Sequence, residues 1–126
     1  MLSPFRSKPR VLILDDDASM RKLVSLVLTR AGYKVKAVTK GNEAIAAIDD
    51  AGEYAAIVLD LMMPHEGGMT VMKHLRESNP AMLKRVILLT GAPDTVLRSV
   101  GQDVFAVVKK PFDATELTDA VEKLLQ

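Results

Sequence analysis

No cysteine occurs in the 126 residues. Its absence excludes a disulfide framework and all thiol chemistry, and suits a reducing, cytoplasmic setting. Neither sign of charge dominates: 17 basic against 16 acidic residues leave a formal net charge of +1. A balance this even makes no electrostatic case for direct nucleic-acid binding. Nowhere does an apolar run approach the roughly 20 residues that span a bilayer, so no membrane association is expected. The first ten residues carry Arg6, Lys8 and Arg10 but lack the apolar centre of a signal peptide. Internal repeats, low-complexity tracts and a dividing linker are missing as well. What remains is a chain with 48% hydrophobic residues, long enough for one domain with its own core.

The apolar content is arranged as short runs that end in polar residues. Ile57-Val58-Leu59-Asp60-Leu61-Met62-Met63-Pro64 delivers one carboxylate after a branched run and then meets proline. Such runs suit strands covered on both faces, as in a parallel sheet between helices. Arg10 to Leu14 is another, ending in Asp15-Asp16-Asp17; Arg85 to Leu89 ends in Thr90-Gly91; Val104 to Val108 ends in Lys109-Lys110-Pro111. Tyr33 to Val38 is more polar and reads as an edge strand.

Helical spacing fills the gaps. Met20, Leu23, Val24, Val27, Leu28 and Ala31 form one amphipathic face closed by Gly32, and Asp17 reads as the cap of that helix. Asn42 to Ala51 turns Ala44, Ile45, Ala47 and Ile48 inward and stops near Gly52. A third helix carries Met69, Met72 and Leu75, with the methionines expected as core filler and His74 on the solvent side. His65, in the loop before it, reads as loop filler. A thin pattern from Ala92-Pro93 to about Gly101 predicts a short, mobile helix. Asp113 and Glu116 cap the last one, which buries Leu117, Val121, Leu124 and Leu125. Residues 1–8 read as a disordered lead and 9–126 as the domain. Five strands alternating with five helices imply a parallel sheet with helices on both faces.

Asp15 and Asp16, Asp60, Thr90 and Lys110 fall at the carboxyl ends of four different strands, the edge where such sheets collect their chemistry. Three carboxylates against one ammonium leave about two uncompensated charges, which matches one oxygen-seeking divalent cation, Mg²⁺ first and Mn²⁺ as the alternative. Asp60 is ionised at neutral pH and can attack phosphorus without a general base, forming an acyl phosphate. The cation, the Thr90 hydroxyl and the Lys110 ammonium would neutralise the phosphoryl oxygens.

From about Lys8 to Leu125 the chain resembles the receiver domain of bacterial two-component response regulators, typified by the stand-alone chemotaxis regulator. The motifs that carry the resemblance are Ile13-Leu14-Asp15-Asp16-Asp17-Ala18-Ser19-Met20-Arg21, Leu59-Asp60-Leu61-Met62-Met63-Pro64 with Gly68, Leu89-Thr90-Gly91, and Lys110-Pro111-Phe112. The resemblance implies a flavodoxin-like, doubly wound sheet in the order 2-1-3-4-5. It implies that Asp60 is the phosphoacceptor for a sensor histidine kinase or phosphotransfer protein, and that the signal passes on by protein contact to a downstream target. Asp16, Asp60 and the Met62 backbone carbonyl would ligate Mg²⁺ directly, Asp15 through water, while Thr90 and Lys110 would bind the phosphoryl group. Such a domain catalyses only its own phosphorylation and dephosphorylation, and works as a monomer or weak homodimer. Two positions depart from the family: Val107 stands where an aromatic is usual, and Gly67 where an acidic or polar residue is frequent, which is expected to loosen the loop.

Two other readings compete. Asp15-Asp16-Asp17-Ala18-Ser19 also fits haloacid-dehalogenase-type phosphatases, with Asp15 as nucleophile and Asp17 as general acid. That leaves Asp60 without a task and supplies no further acidic strand end. A phosphorylation-independent interaction module gains weight from Val107, but then the intact acidic, threonine and lysine set has no purpose.

Overall fold

The computed structural model describes residues 8–51, 54–63 and 67–126. The lead expected over residues 1–8 lies outside the described residues except for Lys8, and so do Gly52, Pro64 and His65. The chain runs β1 (Arg10–Leu14), α1 (Ala18–Arg30), β2 (Lys34–Val38), α2 (Gly41–Ala51), β3 (Ala56–Asp60), α3 (Gly68–Ser78), a 3₁₀ segment (Pro80–Arg85), β4 (Val86–Thr90), α4 (Asp94–Val100), β5 (Ala106–Lys109) and α5 (Ala114–Leu125). All strand pairs are parallel, in the order β2-β1-β3-β4-β5.

Alternation along each strand divides the core in two. Leu12, Leu14, Ile57, Leu59, Val86 and Leu88 face one layer with Ala44, Ile48, Met72, Leu75 and Leu97, so α2, α3 and α4 cover that side. Val11, Ile13, Ala56, Val58, Ile87 and Leu89 face the other with Val24, Leu28, Leu117 and Val121, which brings α1 and α5 there. β3 and β4 are buried along their whole length, whereas β2 at the edge is largely exposed. Each fully buried Leu or Ile contributes about 1.5–3 kcal/mol, so these two layers supply most of the driving force.

Local chemistry sets the ends of the helices. The Asp17 carboxylate accepts the amides of Ser19 and Met20 and starts α1. Gly32, at φ 101°, ends it: its amide donates to the Thr29 carbonyl and that of Tyr33 to Leu28, the paired bonds of a Schellman motif. Asp113 accepts from the Glu116 amide and starts α5. Among the described residues, no helix is long and apolar enough to cross a membrane.

Four details differ from the sequence reading. The 3₁₀ segment was not expected; Pro80 at its start cannot continue α3, and the turn lets Met82 and Leu83 reach the core. The methionines divide, Met72 buried but Met69 47% exposed, because Met69 lies in the first turn of α3 beyond the sheet's cover. His74 does not merely face solvent; its Nε2 lies 3.1 Å from Asp49 Oδ1 and joins α3 to α2. In α5 the buried residues are Leu117, Ala120 and Val121, with Leu124 and Leu125 only half-buried at the end of the helix.

Candidate functional site

The carboxyl ends of β1, β3, β4 and β5 meet at one edge of the sheet. Asp15 follows β1, Asp60 closes β3, Thr90 closes β4 and Lys110 follows β5, and three of the four are buried. The Lys110 ammonium lies 3.2 Å from Asp60 Oδ2 and 3.7 Å from Asp15 Oδ2. Its amide donates to the Thr90 carbonyl at 2.9 Å, so the end of β5 carries the ammonium in register with the Thr90 hydroxyl. Thr90 Oγ1 accepts the Ala92 amide at 3.0 Å. With its acceptor side engaged, the hydroxyl keeps its proton for an anionic oxygen. Asp60 Oδ1 accepts from the Met62 amide at 3.2 Å, which fixes the carboxylate's rotation and starts the β3–α3 loop.

Burial disfavours the charged form of Asp60 and raises its carboxyl pKa above the ordinary value; the Lys110 ammonium opposes this and the Asp15 carboxylate adds to it. Asp15, Asp16 and Asp60 each bring one carboxylate oxygen to within 4.8 Å of the others. Asp15 Oδ1 is taken by the Asp17 amide at 2.9 Å, while Oδ2 is buried without a hydrogen-bond partner among the described residues. A buried carboxylate oxygen left in this state is costly, and a hard divalent cation relieves it. The donor set is all oxygen, as Mg²⁺ requires.

Glycine shapes the floor of the site. A Cβ on Gly68 would lie 2.5 Å from the Asp60 carbonyl oxygen, so α3 begins against the Asp60 backbone. Gly68→Ala is expected to push α3 off β3 and cost about 1–3 kcal/mol, as overpacking does. Thermal denaturation measures it, and an unchanged midpoint would mean that α3 retreats freely. Gly67 is required by close approach too: its Cβ would stand 2.7 Å from Met63 Cβ. The loop that Gly67 is expected to loosen includes residues 64–66, which lie outside the described residues.

The sequence model of the response regulator receiver domain matches residues 11–122. The chain belongs to this family. It is 30% identical to the transcriptional regulatory protein GltR of Pseudomonas aeruginosa over 118 residues, covering 92% of this chain and 48% of the relative. With the transcriptional regulatory protein TcrA of Mycobacterium tuberculosis it shares 36% identity over 110 residues, 86% of this chain and 42% of the relative. This receiver domain thus spans about half the length of these curated relatives. Among solved structures, the response regulator protein TrrA of Thermotoga maritima, in complex with Mg²⁺–BeF, superposes with a TM-score of 0.80 at 29% identity, covering 92% of this chain and 98% of that one.

The phosphatase reading loses support on two counts. The family match is to receivers, and the Asp17 carboxylate, the general acid in that scheme, is spent on the first turn of α1. Sequence reasoning gave Arg21 no role of its own at the site. Its Nη1 donates to the Asp15 carbonyl at 3.0 Å. The available signal was its position one turn after the Asp17 cap, where a long basic side chain can fold back over the loop.

Proposed function

We propose that Asp60 of this receiver domain is the phosphoacceptor of a two-component relay. A phosphohistidine on a sensor kinase or phosphotransfer protein is the donor, and the result is read as changed affinity for a target protein. The observation that carries this is a carboxylate 4% exposed, with an ammonium 3.2 Å away and two further carboxylates beside it. In the transfer the histidine nitrogen–phosphorus bond breaks and a bond from Asp60 oxygen to phosphorus forms; the histidine nitrogen retains the bonding pair and later takes up a proton. Lys110 holds an oxygen of the incoming group, and the Thr90 hydroxyl donates to another. Asp15, Asp16, Asp60 and the Met62 carbonyl would hold Mg²⁺, which supplies charge neutralisation to the phosphoryl oxygens. Mn²⁺ can substitute. The site turns over no substrate besides its own acyl phosphate. We place the domain at residues 9–126, in the cytoplasm, as a monomer or weak homodimer with no direct nucleic-acid contact of its own.

The test is intact-mass analysis after incubation with acetyl phosphate and Mg²⁺. One added phosphoryl group, absent when the metal is chelated, is expected; an adduct retained on Asp60→Asn but lost on Asp15→Asn would transfer the case to the phosphatase reading.

Val107 predicts a muted switch. It is half-buried against the layer under α2, α3 and α4, and a Cβ on Gly101 would meet its Cγ2 at 3.3 Å. A small side chain so packed has little room to change position. The Val107 amide and methyl signals are therefore expected to move little on phosphorylation, and a large shift would contradict this.

A further inference from the structure

We infer that Arg21 is a positioning residue for the cation site, aiming the Asp16 carboxylate by holding the peptide that precedes it. This rests on the Mg²⁺ reading above and deepens it. The last ladder bond of β1 is the Asp15 amide to the Val38 carbonyl, after which the chain leaves the sheet. Asp15 is buried, so its carbonyl must find a donor inside the protein. That donor is Arg21, a charge-assisted bond at 3.0 Å.

The surrounding bonds close a circuit. The Asp17 amide returns to Asp15 Oδ1, the Asp17 side chain holds the amides of Ser19 and Met20, and the Arg21 amide donates to the Asp17 carbonyl. Every residue of the β1–α1 turn is pinned by its neighbours except Asp16, whose carboxylate is exposed and has no hydrogen bond or ion pair of its own among the described residues. Its direction is set by the Asp15–Asp16 peptide plane, and the Arg21 guanidinium holds that plane. Lysine keeps the charge but lacks the planar fork that fixes the bond's direction.

Electrostatics and positioning predict opposite signs. Removing a cation beside three carboxylates strengthens attraction for Mg²⁺, whereas releasing the peptide plane weakens it. Arg21→Gln and Arg21→Lys are each expected to raise the Mg²⁺ dissociation constant by about tenfold, the usual cost of losing an outer-shell partner of a metal ligand. The measurement is a Mg²⁺ titration followed by amide NMR, in which the metal-free spectra also report the fold. In those spectra the Asp16 and Asp17 amides should shift while the core dispersion is retained. Affinity unchanged or increased in Arg21→Gln overturns the inference. If that variant loses its core dispersion, Arg21→Lys decides by the same criterion. A wild-type chain that binds no Mg²⁺ overturns the cation reading itself, an outcome distinct from equal binding by wild type and variants.

Discussion

Asp60→Asn is expected to abolish the phosphoryl adduct and, at neutral pH, to make the folded chain more stable. Burial raises the Asp60 carboxyl pKa, with Lys110 opposing and Asp15 reinforcing the effect. An acid whose pKa is higher in the fold than in the unfolded chain binds its proton more tightly when folded, so its ionised form weakens the fold. That penalty is absent below the ordinary carboxylate pKa. It grows as pH rises through the interval between the ordinary and raised values, and it is complete above the raised one. An amide carries no charge at any pH. The variant's advantage is therefore present at neutral pH, roughly 1 kcal/mol or a few degrees in melting midpoint, and fades in acid. Thermal unfolding at pH 7.5 and pH 4 measures it. Equal midpoints at pH 7.5 would mean that Lys110 offsets the burial completely.

Lys110→Met has the opposite sign and the larger effect on stability. Lys110 is the cation that both Asp15 and Asp60 face, at 3.7 and 3.2 Å. Methionine retains much of the apolar stem but leaves two buried carboxylates uncompensated. Breaking such an arrangement by removing one partner costs about 3–5 kcal/mol for fully buried pairs; with the Lys110 side chain 26% exposed, about 2 kcal/mol is expected. Losing the ammonium removes the opposition to burial, so the Asp60 pKa moves further up. The deficit is then largest at neutral pH and shrinks as acid protonates Asp60. Saturating Mg²⁺ should stabilise this variant more than wild type, because the ion replaces the missing charge. Chemical denaturation at two pH values, with and without Mg²⁺, tests all three statements. A deficit independent of both pH and metal would show that Lys110 acts by packing alone.

The two predictions concern residues that the sequence already marked, and the reason is geometric. In a parallel sheet every strand points the same way, so polar residues that close apolar runs must share an edge. Asp15, Asp60, Thr90 and Lys110 could thus be assembled from strand ends alone. The caps were legible for a different reason: Asp17, Gly32 and Asp113 act within a few residues of themselves.

Elements whose role depends on distant neighbours were not legible. Arg21 looked like any exposed helix base, and only the fold brings its guanidinium back to the Asp15 carbonyl. Gly67 stood out only as a departure from the family, and the fold adds its close approach to Met63. His74 looked solvated until α2 placed Asp49 beside it. By itself, then, the amino-acid order determined the strand and helix succession, the division of apolar residues between two faces and which polar residues share the carboxyl edge of the sheet, because periodicity and local capping act over one or two turns. Tertiary structure alone decided the distances within that set, the burial that raises the Asp60 pKa and the contacts of Arg21, Gly67 and Gly68, because each arises where segments remote in sequence come within a few ångströms.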